Sequence, residues 1–102
     1  MLYCERRRGA LIVRLAGELD HCAAAAVRAE LDAWLSDATI RRLVFDLKAL
    51  QFMDSSGIGL IIGRYKQMKR RGGSVAVAAS NAGIDRILNM AGLYELVERL
   101  AE

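Results

Sequence analysis

The residues best placed to do chemistry in this chain are a carboxylate followed by two hydroxyls, in the segment FMDSSGIG at positions 52–59. An apolar run at 43–47 precedes the segment and predicts a buried strand, while an amphipathic run at 58–68 predicts a helix. The hydroxyls of Ser55 and Ser56 therefore belong to a strand-to-helix turn. Proteins of the α/β class often place functional residues at such turns.

Two roles fit this turn. A phosphate on a serine there would meet free backbone N–H groups and the positive end of the helix dipole, which suits a switch. Alternatively, Asp54 or Ser55 simply caps the helix, as Asp and Ser often do. Caps are much commoner than switches, and spacing alone leaves both interpretations open.

The familiar catalytic and nucleotide-binding motifs do not fit the chain. A hydrolase nucleophile elbow needs glycine two residues before the serine, but Met53 stands there before Ser55. Three glycines, Gly57, Gly59 and Gly63, are spaced one residue too widely for a dinucleotide-binding fingerprint. We therefore expect a protein that is not an enzyme and that holds no cofactor and no metal ion.

Length and composition predict one domain over residues 1–102. The chain is 54% hydrophobic and lacks proline, so nothing signals a proline-rich linker. Its longest uncharged apolar stretch, 58–63, is far shorter than the roughly 20 residues that span a bilayer. Cys4 and Cys22 have no metal-ligand spacing and fit reduced thiols in a cytoplasmic protein.

The charge pattern argues against a nucleic-acid partner. The net charge is +3, and the basic residues concentrate at 6–8 and near the end of the helix that follows the serines. Only one Trp, three Tyr and two Phe are available for stacking on bases. We expect no direct contact with nucleic acid and none with a membrane.

Strand and helix signals alternate along the chain. The predicted elements are strands at 2–4 and 11–15, a helix at 21–36, a strand at 42–47, a helix at 58–68, a strand at 75–78 and a short helix capped by Asn81. Alternation implies parallel neighbours with right-handed crossovers, and the opening hairpin makes the sheet mixed. We therefore predict an α/β fold with a mixed sheet of four to five strands and about four packed helices.

Three finer expectations follow from the same pattern. Residues 17–20 are predicted to form a loop in which Asp20 caps the next helix. Gly59 and Gly63 lie four apart and are predicted to allow close approach to the sheet. The helix face predicted to enter the core consists of Ile58, Ile61, Ile62 and Tyr65.

Three ordered motifs carry a family resemblance over nearly the whole chain. Residues 52–59, continuing through GRYKQMK at 63–69, resemble the signature of STAS domains. The segment GELDH at 17–21 is similar to a second motif of the anti-sigma-F factor antagonists of spore-forming bacteria, and NMAGL at 89–93 is similar to a third. The chain is thus identified as a single STAS-type domain.

The resemblance implies a partner-switching regulator of transcription that acts in sporulation. In this family the unphosphorylated antagonist binds an anti-sigma factor with serine kinase activity, and this binding releases a sigma factor. The kinase then phosphorylates the first serine of the motif, which is Ser55 here, and a Ser/Thr phosphatase restores the active form.

The resemblance also implies the partner-binding residues and a free form that is monomeric. The expected contact residues are Asp20, His21, Met53, Asp54, Ser55, Ser56 and Gly57. Two alternatives remain: a STAS signalling scaffold in another partner-switching pathway, and a nucleotide-binding domain.

Overall fold

A five-stranded mixed sheet is the centre of the fold. The computed structural model describes residues 1–79 and 81–100. The elements are β1 (Leu2–Arg7), β2 (Ala10–Leu19), α1 (His21–Leu35), β3 (Arg42–Met53), α2 (Ser55–Arg70), β4 (Ser74–Ala78), α3 (Ala82–Met90), a 3₁₀ turn (Leu93–Glu95) and β5 (Glu98–Arg99). The strand order is β1-β2-β3-β4-β5, with β1 antiparallel to β2 and the other neighbours parallel. The predicted mixed α/β sheet is confirmed.

The helices pack on one face of this sheet. Alternate strand residues form a single buried cluster with side chains from α1, α2 and α3, namely Leu11, Val13, Leu15, Leu43, Phe45, Leu47, Val75 and Val77. The intervening residues point to the other face. That face carries charged groups, including an ion pair between Arg14 Nε and Asp46 Oδ2 at 3.4 Å. The domain therefore has two layers, one of helices and one of strands.

Side-chain caps begin the helices where the sequence predicts them. The Asp20 carboxylate accepts a hydrogen bond from the Ala23 N–H at 2.9 Å and starts α1. The Asn81 side-chain oxygen accepts one from the Gly83 N–H at 2.8 Å and starts α3. Each cap satisfies a backbone donor that has no partner inside its helix.

The prediction of about four helices was wrong, because the described chain contains three α-helices. After α3, Gly92 takes the left-handed conformation with φ 73° and turns the chain into the 3₁₀ turn. Glu98 and Arg99 then pair with β4 as the edge strand β5. One short turn and a two-residue strand are too brief to give a periodic signal in the sequence, so neither element was predicted.

The predicted loop at 17–20 was also wrong, since β2 continues to Leu19. Two register shifts interrupt the β2–β3 pairing, between Arg14 and Ala16 and between Gly17 and Glu18. Gly17 adopts a positive φ of 84°, which glycine tolerates and which is typical of a bulge. With these bulges, β2 stays paired with β3 as far as Met53, the last residue of β3.

Helix α2 starts earlier than predicted and buries a slightly different face. Its fully buried side chains include Leu60, Ile61 and Met68. The predicted core residues Ile58, Ile62 and Tyr65 are partly buried and pack against the cluster. The prediction of a buried side chain is therefore confirmed for Ile61, whereas Ile58, Ile62 and Tyr65 are only partly buried.

The glycine that packs closely in α2 is not one of the two predicted. A Cβ at Gly59 or Gly63 would meet no atom within 4 Å. At Gly57, by contrast, it would collide with the Met53 side chain and lie 3.0 Å from Leu19 Cδ2. Gly57 thus lets the first turn of α2 lie against the ends of β2 and β3.

We predict that Ile61→Ala destabilises the domain far more than Ile62→Ala. Ile61 is 0% exposed, so its truncation leaves a cavity and should lower the free energy of unfolding by about 2–5 kcal/mol. Ile62 is partly exposed and its truncation should cost less. Urea denaturation of both variants measures the difference, and equal losses would contradict the assigned burial.

We also predict different reactivities for the two free thiols. Burial, together with the nearby Glu30 carboxylate, raises the pKa of Cys4 to about 11, so its thiol stays protonated at pH 8. Cys22 is exposed. Iodoacetamide at pH 8 should label Cys22 and spare Cys4, because the thiolate is the nucleophile. Preferential labelling of Cys4, read by mass spectrometry, would refute this prediction.

Candidate functional site

Parallel pairing of β2 and β3 brings two distant motifs to one edge of the sheet. Leu19 and Met53, the last residues of these strands, are register partners. The Asp54 N–H also donates to the Leu19 carbonyl at 3.4 Å. Asp20 and Asp54 therefore follow their strands at the same edge, and each begins a helix.

Asp54, not Ser55, is the cap of α2. Its carboxylate oxygen Oδ1 accepts a hydrogen bond from the Ser56 N–H at 2.8 Å. Its backbone carbonyl accepts from the Gly57 N–H at 3.0 Å. Because Asp54 fills the capping position, the Ser55 side chain is not needed there. The capping and switch interpretations of the motif are therefore compatible.

The two adjacent hydroxyls differ in their surroundings. Ser55 is the first residue of α2 and is exposed. Ser56 is half-buried, and its Oγ lies 3.5 Å from Nδ1 of His21, the first residue of α1. Ser55 thus faces solvent, whereas Ser56 faces the neighbouring helix.

A groove lies between the first turns of α1 and α2. We call it the α1–α2 groove, and its lining residues are His21, Ala24, Ala25, Arg28, Ser56 and Gly59. The α1 residues recur at the three- to four-residue spacing of one helix face. That spacing could have revealed Arg28 as a neighbour of His21, but sequence reasoning missed both Arg28 and the open position of Gly59.

Five of the seven expected contact residues share this edge, and two lie beneath it. Asp20, His21, Asp54, Ser55 and Ser56 surround the starts of the two helices. Met53 is only 2% exposed, and the buried Gly57 packs against it. These two residues support the turn from below and present no side chain at the surface, and partner contact by the seven residues stays a prediction.

Neither a metal centre nor a membrane span is evident in the part of the chain that the structure describes. Over residues 1–79 and 81–100, no three His, Cys, Asp or Glu side chains group as metal ligands. No helix in the same ranges combines the length and the apolarity needed to cross a bilayer.

Sequence relatives cover most of the chain. An anti-sigma F factor antagonist of Paenibacillus polymyxa is 46% identical over 93 residues, which are 91% of this chain and 80% of the relative. A protein of the same name from Lysinibacillus sphaericus is 33% identical over 86 residues, 84% of this chain and 74% of that one. An anti-sigma-B factor antagonist of Bacillus subtilis is 29% identical over 84% of this chain and 77% of its own length.

Solved structures show the same fold. The anti-sigma factor antagonist SpoIIAA in its unphosphorylated form matches with a TM-score of 0.81 and 23% identity, over 100% of this chain and 89% of the other. The Bacillus cell fate determinant SpoIIAA in its phosphorylated form matches with a TM-score of 0.80 and 26% identity, over 100% and 93%. The family description STAS domain matches residues 3–102. The chain therefore belongs to the STAS domain family and has anti-sigma F factor antagonists among its relatives.

Proposed function

We propose that this protein is an anti-sigma factor antagonist controlled by phosphorylation of Ser55. In its unphosphorylated form it binds an anti-sigma factor that is also a serine kinase, and this binding releases a sigma factor in the cytoplasm. Phosphorylation dissociates the complex, and a Ser/Thr phosphatase resets it. The names of the relatives support the antagonist role.

The observation that carries the proposal is the exposure of the Ser55 side chain at the start of α2. Asp54 caps this helix, so the Ser55 hydroxyl is not required for capping. A kinase must bring the γ-phosphate in line with the acceptor oxygen, so the hydroxyl has to be accessible. Ser55 is exposed, whereas Ser56 is half-buried next to His21. The existence of a phosphorylated form of SpoIIAA, a structural relative, supports a phosphorylation switch.

The fold should tolerate a phosphate at this position. A phosphoserine carries about −1.5 to −2 charges, which the positive end of the α2 dipole stabilises. Because Ser55 points to solvent and Asp54 already caps the helix, the phosphate need not displace a contact of the core. We therefore expect the phosphorylated chain to keep its native fold.

The same charge would oppose docking of a partner. On the free protein the phosphate is solvated, but a partner seated over Ser55, His21 and Asp20 would desolvate it next to the Asp54 carboxylate. An interfacial penalty of about 3 kcal/mol weakens binding on the order of a hundredfold. Charge exclusion alone can therefore operate the switch, without a large conformational change.

We predict that Ser55→Ala abolishes kinase-dependent phosphate incorporation and that Ser56→Ala retains it. Incubation with the serine kinase from the same genome and ATP, followed by mass spectrometry of the modified peptide, measures both. Labelling that persists in Ser55→Ala and disappears in Ser56→Ala would show that Ser56, and not Ser55, accepts the phosphate.

We further predict that Ser55→Asp folds normally but binds the anti-sigma factor far more weakly than wild type. The carboxylate supplies one charge at the position of the phosphate, so the melting temperature should change little while the affinity falls about tenfold or more. Ser55→Ala is the matched uncharged control and should stay bound. Equal affinities of the two variants, measured by calorimetry, would argue against charge exclusion.

A further inference from the structure

A second groove lies between α1 and the sheet edge formed by β1 and β2, and we call it the α1–β1 groove. Its volume is about 210 Å³, and the buried side chains of Leu15, Leu19, Val27 and Leu50 line it. An apolar cavity of about 150 Å³ binds a benzene molecule. The α1–β1 groove therefore has room for an aliphatic chain of about six carbon atoms.

This groove is separate from the edge that carries Ser55. It is lined on α1 by positions 23, 26, 27 and 30, whereas the α1–α2 groove is lined by positions 21, 24, 25 and 28. At about 3.6 residues per turn, these two sets lie on opposite faces of the helix. A molecule bound in the α1–β1 groove would therefore leave the serine turn uncovered.

Negative charge borders the α1–β1 groove. Glu18 and Glu30 line it, both side chains are exposed, and neither forms an ion pair with any residue that the structure describes. The next residue along the chain from the groove, Asp20, carries a further carboxylate, which caps α1. Among the described lining residues the cation is the α-ammonium group of Met1, which donates to the Ala16 carbonyl at 2.8 Å. The balance of charge at the groove is therefore negative.

The Cys4 thiol beside the groove responds to the same negative charge. Its Sγ lies 4.0 Å from Oε2 of Glu30. Burial, and after it the charge of Glu30, raises the pKa of the Cys4 thiol to about 11. The Glu30 carboxylate thus acts on a half-buried neighbour, and an unpaired carboxylate next to apolar surface favours a cation there.

We propose that the α1–β1 groove binds a small aliphatic amine, with its carbon chain against the buried leucines and its ammonium group at Glu18 and Glu30. An ammonium group has three N–H donors, and unpaired carboxylates accept such hydrogen bonds. A fatty acid is a poorer occupant, because its carboxylate would meet two groups of like charge. A neutral alcohol would gain the apolar contact but not the attraction between charges. The inference does not depend on the proposed function.

The first test titrates the isotope-labelled full chain with hexylammonium chloride, hexanol and sodium hexanoate, and follows its amide NMR spectrum at constant ionic strength. Hexylammonium should shift the signals of groove residues saturably, with an affinity about tenfold or more above that of hexanol or hexanoate. Its affinity should fall with added salt, whereas that of hexanol should not fall. Equal affinities for hexylammonium and hexanol, or the absence of saturable shifts in the groove, would overturn the proposal.

The second test uses variants to locate the bound amine. Ala26 is exposed and lines the groove, so Ala26→Leu fills it, and Ala29→Leu is the matched control because Ala29 is exposed on α1 outside the groove. The double variant Glu18→Gln/Glu30→Gln removes both charges. Its control is Glu95→Gln, which removes an exposed carboxylate on the 3₁₀ turn. Melting temperatures are measured to show that each variant is folded.

We expect Ala26→Leu to weaken hexylammonium binding about tenfold or more, and the double variant to bind hexylammonium no more tightly than hexanol. Both controls should bind like wild type. Unchanged hexylammonium binding in folded Ala26→Leu or in the double variant would place the amine elsewhere and overturn the proposal. A wild-type chain that self-associates and that hexylammonium dissociates would assign the groove to a second copy, which would also overturn it.

Discussion

The parallel pairing of β2 with β3 is the constraint on which the candidate site depends. Register fixes Leu19 beside Met53, so the two chains leave the sheet at the same edge and turn into helices next to each other. Each turn then needs its own cap, which Asp20 and Asp54 supply. A shift of one residue in this register would turn the side chains of the shifted strand to the opposite face of the sheet and take its core residues out of the core.

The residues beneath the serine turn are buried by close packing and serve the fold, whereas those above it are exposed and available to a partner. A Cβ at position 57 would displace the Met53 side chain and crowd Leu19, so glycine there lets the first turn of α2 pack closely against both strand ends. The buried side chains and the Asp54 cap hold the backbone of this turn in place. The Ser55 side chain is therefore not required for the fold. A modification at such a residue can change the charge of the surface and leave the core untouched.

Local signals in the sequence were enough to predict some features and not others. Asp20 and Asn81 were predictable as caps, because capping depends on residues within one helical turn. The strand end at 17–19 was not, since Gly17 fits a loop and a bulge equally well and only pairing with β3 decides between them. The spacing of Gly59 and Gly63 showed that they share a face but not which face, and the proximity of His21 to Ser56 exists only in three dimensions.

The most direct test of the account is to compare phosphorylated and unphosphorylated wild type, by calorimetry with the anti-sigma factor and by amide NMR of each free form. Charge exclusion predicts a loss of affinity on the order of a hundredfold or more, with chemical-shift changes confined to residues around Ser55 and the start of α1. Widespread shift changes reaching β4 and α3 would show that phosphorylation rearranges the fold. An unchanged affinity would show that Ser55 does not control binding.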